Sequence, residues 1–130
     1  MTHADFQAVS VHAPTAPALP LVCDSPHSGE QYPADFNAAA SLAQLRQGED
    51  THVDALWSAA PALGATLIAA HFPRVYIDPN RTLRDLDPEL LAEPWPEPLD
   101  PGEKTRLGKG LIWRRMDKAT PIYDLSLIHI

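Results

Sequence analysis

Three short stretches of the chain carry side chains that could do chemistry. The first is Pro26-His27-Ser28-Gly29, which follows the apolar run 19–23. A histidine at the end of a buried strand, next to a glycine that lets the backbone approach closely, is placed to hold a metal ion. Glu30, three residues after His27, could bring a carboxylate to the same ion. The competing reading of His27 is an ordinary histidine in a surface turn. The second stretch is Glu49-Asp50-Thr51-His52. A carboxylate and an imidazole make up half of a zinc site, because catalytic zinc takes three protein ligands and a water. The competing reading is helix capping, since carboxylates favour the positive end of the helix dipole. Capping accounts for Asp50 and Thr51 better than for His52.

The third stretch is Phe72-Pro73-Arg74-Val75-Tyr76-Ile77-Asp78-Pro79-Asn80-Arg81. It sets two arginines and an asparagine at the end of an apolar segment. The planar guanidinium matches a carboxylate through two parallel hydrogen bonds, and asparagine adds a neutral donor. Such a group suits a small anionic substrate. The alternative is structural pairing of Arg74 and Arg81 with Asp78, Asp85 or Asp87. A fourth stretch, Gly108-Lys109-Gly110-Leu111-Ile112-Trp113-Arg114-Arg115, lacks the glycine spacing of a phosphate loop. There Trp113 reads as core and Arg114-Arg115 as a solvated end. The single cysteine, Cys23, ends an apolar run and reads as a small buried hydrophobe.

These side chains need elements to position them. Residues 19–23 read as a first strand, 66–70 as a second, 75–77 as a short third and 108–113 as a return strand. Residues 34–45 read as a weakly amphipathic helix. A clearer helix opens at Asp50-Thr51, with Thr51 and Asp54 spaced like a capping box, and Val53, Leu56, Trp57 and Ala60 recur at helical spacing. Gly64 closes it. Residues 84–106 alternate acids with Pro88, Pro94, Pro96, Pro98 and Pro101, so they read as a long loop. Strand, helix, strand in this order predicts an α/β fold, a partly parallel sheet with flanking helices.

Composition narrows the function. The 130 residues suit one domain, and with 45% hydrophobic and 21% charged residues the chain is globular. A net charge of −7 argues against a nucleic-acid or anionic-membrane surface, which needs a basic footprint. No apolar run approaches the ~20 residues of a membrane span. Residues 1–18 lack the features of a secretory signal. One cysteine allows no internal disulfide, so a reducing cytoplasm is the expected location.

In their order and spacing, several segments resemble the N-formylglutamate amidohydrolase family. They are Pro26-His27-Ser28-Gly29 with Tyr32-Pro33, Asp50-Thr51-His52-Val53-Asp54, Phe72-Pro73-Arg74 leading into Tyr76-Ile77-Asp78-Pro79-Asn80-Arg81, and Gly110-Leu111-Ile112. The resemblance covers roughly residues 20 to 124. It implies a zinc-dependent exopeptidase-like fold and hydrolysis of N-formyl-L-glutamate to formate and L-glutamate, a late step of histidine breakdown. By position it implies His27 as first metal ligand and Asp50 as carboxylate ligand, with the metal a divalent ion, zinc. Asn80 and Arg81 would hold the substrate carboxylate, and Arg74 would be an accessory anion contact. Glu30 matches the His-x-x-Glu pattern of zinc carboxypeptidases but ranks second to Asp50. It is also one candidate for the general base, the other being a residue beyond 124. Family members are about twice this long, and their later Asp-x-His-Ser segment has no counterpart here. The expectation is therefore a loose leader at 1–18, the N-terminal part of an amidohydrolase domain at 19–124, and a tail at 125–130 foreign to the family. The alternative to a working enzyme is an inactive truncated fragment or a non-catalytic binder of a small carboxylate.

Overall fold

The computed structural model describes residues 6–124. Its main sheet has three strands: β1 (Val9–His12), β2 (Val22–Ser25) and β3 (Thr66–Ala70), in the order β1-β3-β2. β2 pairs parallel to β3, from Val22↔Thr66 to Ser25↔Ala69, and β1 pairs antiparallel to it, from Val9↔Ala70 to His12↔Leu67. The sheet is thus partly parallel, as the element order predicts. Parallel strands need a long crossover. Here it carries helices α1 (Leu42–Arg46) and α2 (Val53–Leu56) and a 3-10 turn at Pro61–Leu63. Among the described residues no helix is long and apolar enough to cross a membrane.

Several elements differ from the sequence reading. Residues 9–12, inside the segment read as a loose leader, form β1. Val9 and Val11 alternate with polar neighbours, and β3 offers them a free edge. The first strand starts later than 19, at Val22, and runs on to Ser25, because Pro20 has no N–H to give a ladder. The helix expected at 34–45 shrinks to α1, which begins at a capping box of Ser41 and Gln44. Before it, Phe36 turns into the core and Asn37 takes a left-handed φ of 50°. The clear helix opened at Asp50-Thr51 and closed by Gly64 shrinks to α2, and its N-cap is His52 at φ 66°, not Thr51. Gly64 closes the region with φ 99°, as expected. Residues 74–76 form a turn and Ile77 is irregular, so no strand forms at 75–77. The return strand reduces to one bridge, Lys109↔Trp113, and the hairpin that follows pairs β4 (Arg115–Asp117) with β5 (Thr120–Pro121). The acidic, proline-rich stretch holds 3-10 turns at Leu83–Asp85 and Pro88–Leu90, then helix α3 (Glu103–Arg106). The tail at 125–130 lies outside the described residues.

Two apolar clusters hold these pieces. Cys23, Ala60, Ala65 and Leu67 pack a small one beside the sheet. A larger one joins Phe36, Leu45, Val75, Leu90, Trp113, Met116, Ile122 and Tyr123, all of them from outside the main sheet. Burial lifts the Tyr123 phenol to about 12, with the neighbouring Tyr76 adding to the effect. Arg114 is buried, not a solvated end. Its Nε donates to Asp87 at 2.8 Å and its Nη1 lies 3.2 Å from Glu89, so it moors the proline-rich stretch to the larger cluster. Removing one partner of a buried pair strands the other charge, so Arg114→Ala is expected to cost about 3–5 kcal/mol. Urea unfolding measures this, and a loss below about 1 kcal/mol would mean that the pair behaves as a solvated one.

Candidate functional site

The loop leaving β2 is short and closed on itself by a 2.7 Å bond between the hydroxyls of Ser25 and Ser28. Gly29 follows, and a Cβ there would lie 2.2 Å from the carbonyl oxygen of Phe72. The close approach this glycine permits is therefore to the chain leaving β3. The Gln31 N–H, donating to the His71 carbonyl at 2.9 Å, fastens the same junction. A third loop joins when the Asp50 N–H donates to the His27 carbonyl at 2.9 Å. His27 thus stands where two parallel strands end, with Asp50 held beside it.

The His27 ring is nearly buried and both its nitrogens are engaged. Nε2 lies 2.8 Å from Oδ1 of Asp78, a residue with no solvent exposure. A carboxylate accepts there, so Nε2 carries the proton and Nδ1 presents a lone pair. Nδ1 faces Oδ2 of Asp50 at 3.4 Å. The Arg74 guanidinium spans the same two groups, with Nη1 3.1 Å from Nδ1 and Nη2 3.1 Å from Oδ1 of Asp50. Its Nε donates to the Gly48 carbonyl at 2.6 Å. A cation therefore already lies between the imidazole lone pair and the carboxylate.

Asp78 organises the other side. Its Oδ1 also accepts from the Asn80 N–H at 2.9 Å, and its Oδ2 from Nε1 of Trp113 at 3.2 Å. Arg81 Nη1 is 3.7 Å from the same Oδ2. Arg81 donates through Nε to the Lys109 carbonyl and through Nη1 to that of Asn80, leaving Nη2 without a protein partner among the described residues. The Asn80 side chain is exposed.

The residues singled out from sequence meet as follows. His27, Asp50 and Arg74 are in direct contact, and Arg81 and the Asn80 backbone join them through Asp78. The alternative pairing of arginines holds for Arg81 with Asp78, whereas Arg74 pairs with Asp50. Glu30 stands apart, 3.7 Å from Arg46. His52 lines an open groove of about 710 Å³ with Ser10, His12, Asp54 and His71. Beside Asp50, the buried carboxylate of Glu49 accepts from the Tyr32 hydroxyl at 2.7 Å. Burial and that carboxylate push the Tyr32 phenol well above its ordinary range. Sequence reasoning missed the roles of Asp78 and Trp113. The available signal for Asp78 was its place three residues before Arg81.

The His27–Asp50 pair has the spacing of two metal ligands, and a metal on Nδ1 requires Arg74 Nη1 to leave the lone pair it contacts here. Two ligands about 2.0–2.2 Å from a tetrahedral zinc stand roughly 3.3–3.5 Å apart, and these two atoms already do. The Nε2–H to carboxylate bond is the usual outer support of a metal-bound imidazole. Among the described residues no group of three His, Cys, Asp or Glu side chains could hold a metal ion, and this pair supplies two such side chains.

The model of one protein family, N-formylglutamate amidohydrolase, matches residues 19–129. The chain belongs to the N-formylglutamate amidohydrolase family. It is similar to a crystal structure of N-formylglutamate amidohydrolase from Ralstonia eutropha JMP134, with 66% sequence identity and a TM-score of 0.87 over 90% of this chain. It spans 42% of that amidohydrolase's length. No curated protein matches it significantly. If His27 holds zinc and Asp78 orients its imidazole, Asp78→Asn should weaken zinc binding about ten- to a hundredfold. Competition against a chromogenic chelator measures it, and unchanged affinity would mean that His27 is oriented without Asp78.

Proposed function

We propose that this chain supplies the metal and substrate side of a zinc-dependent hydrolysis of N-formyl-L-glutamate to formate and L-glutamate, on an exopeptidase-like fold. The supporting observation is the 3.4 Å approach of His27 Nδ1 to Asp50 Oδ2, with Nε2 held by buried Asp78. Zinc bound there would polarise the formyl carbonyl and lower the pKa of a bound water toward ~7. His27 would hold it through Nδ1 and Asp50 through Oδ2. Arg74, fixed by the Gly48 carbonyl, keeps the Asp50 carboxylate turned toward His27 and adds positive charge for an anionic substrate. Arg81 Nη2 and the exposed Asn80 amide are the groups we assign to the substrate carboxylate. Held in place, the substrate reacts as one part of a preassembled pair. A role in histidine breakdown within the cytoplasm belongs to the same reading, as does a small acidic substrate.

Formate release from N-formyl-L-glutamate, followed while zinc is returned to chelator-stripped full-length amidohydrolase bearing these residues, tests the proposal. His27→Ala is expected to abolish zinc-dependent turnover and leave the fold in place. Arg81→Lys should raise KM roughly ten- to a hundredfold through the loss of a charged hydrogen bond. Wild-type zinc content and turnover in His27→Ala would remove the metal assignment. An unchanged KM in Arg81→Lys would remove Arg81 from the substrate site.

A further inference from the structure

Trp113 belongs to the larger apolar cluster and is 4% exposed, yet three polar groups converge on it. Its Nε1–H donates to Oδ2 of Asp78 at 3.2 Å. The Arg74 guanidinium carbon lies 5.2 Å from the ring centre and the Lys109 ammonium 5.1 Å from it. Core packing alone would need none of these, since leucine or phenylalanine fills apolar space without a donor. We infer that Trp113 is a positioning residue of the site: its indole N–H sets the plane of the Asp78 carboxylate, and its ring face seats Arg74. The inference rests on reading His27 and Arg74 as working residues.

Indole can only donate, so the direction of the Trp113–Asp78 bond is unambiguous. Without it, Oδ2 of a fully buried carboxylate keeps only Arg81, at 3.7 Å, beyond hydrogen-bond length. Oδ1 keeps the Asn80 N–H and His27 Nε2, but the plane of the carboxylate is then less constrained, and turning it moves Oδ1 away from His27 Nε2. The His27 tautomer depends on that contact. The ring face acts independently: tryptophan offers the strongest aromatic face for a cation, and Arg74 lies against it while reaching Nδ1 of His27 and Asp50. Backbone pairing reinforces the arrangement, because Lys109 bridges Trp113 and its carbonyl takes Nε of Arg81. One side chain therefore couples the imidazole that would hold a metal to the guanidinium beside it.

The test reads the His27 ring in the metal-free chain, by long-range proton–nitrogen NMR with labelled histidine at neutral pH. In the wild type His27 should appear as the Nε2–H form, with a slowly exchanging ring proton. Folded Trp113→Phe, which keeps a ring face but no donor, should show a mixture of tautomers and ring-proton exchange faster by about tenfold, the worth of one hydrogen bond. The Arg74 Nε–H signal should stay in place in Trp113→Phe and move in Trp113→Leu. An unchanged His27 signal in folded Trp113→Phe would overturn the inference. Should that variant not fold, benzothienylalanine at position 113 keeps the shape of tryptophan with sulfur in place of N–H, and the same two outcomes decide. The measurement needs neither zinc nor turnover, so a failed formate assay and a failed tautomer measurement refute different claims.

Discussion

The buried carboxylate of Asp78 is the constraint around which the site is built. A carboxylate without solvent exposure needs its lone pairs met by donors, or its burial costs several kcal/mol. Four elements supply them: the imidazole after β2, the Asn80 amide, the Trp113 indole and, more distantly, Arg81. Asn80 and Arg81 are local to Asp78, whereas His27 and Trp113 come from distant parts of the sequence, so meeting the needs of one carboxylate also brings the loops together. The demand of a buried charge is thereby turned into the orientation of His27.

Topology explains why these loops can meet. β2 and β3 run parallel, so both exits lie at the same end of the sheet. Gly29 then lets the first loop lie against the second at a distance that any Cβ would block. The crossover between the strands passes through Gly48 and Asp50, which reach Arg74 and His27 through a carbonyl, an amide and a carboxylate. Strand pairing supplies the common edge, and backbone polar groups near it supply the fastening.

The residues of the larger cluster all lie outside the strands of that sheet, and polar anchors join its elements. Arg114 joins Asp87 and Glu89, Trp113 joins Asp78, and Tyr32 joins Glu49. Short elements cannot bury a broad apolar stripe, and helices of one turn gain little from propensity alone. Buried donors and acceptors, each with a partner, give such a region a defined arrangement.

The sequence alone determined the family, the partly parallel sheet, strand β3 and the turn at Gly64. These rest on local composition, on residue order and on motifs whose spacing survives without coordinates. His27, Asp50, Arg74, Asn80 and Arg81 could be named for the same reason: each lies in a dense motif. The helices read over 34–45 and from Asp50 to Gly64 were overestimated, because apolar periodicity does not register competition from turns and from side chains drawn into a distant core. β1 was missed because its pairing partner lies more than fifty residues away. The burial of Trp113 was read from sequence, but only the tertiary structure decided that Asp78 supports His27, that Arg74 turns to Asp50, that Trp113 donates to Asp78, and that Arg114 is a buried polar anchor. Those assignments depend on which groups are shut away from water together. Local apolar context was enough to read Cys23 and Trp113 as buried, but the burial of charged groups depends on partners brought in by the whole packed chain.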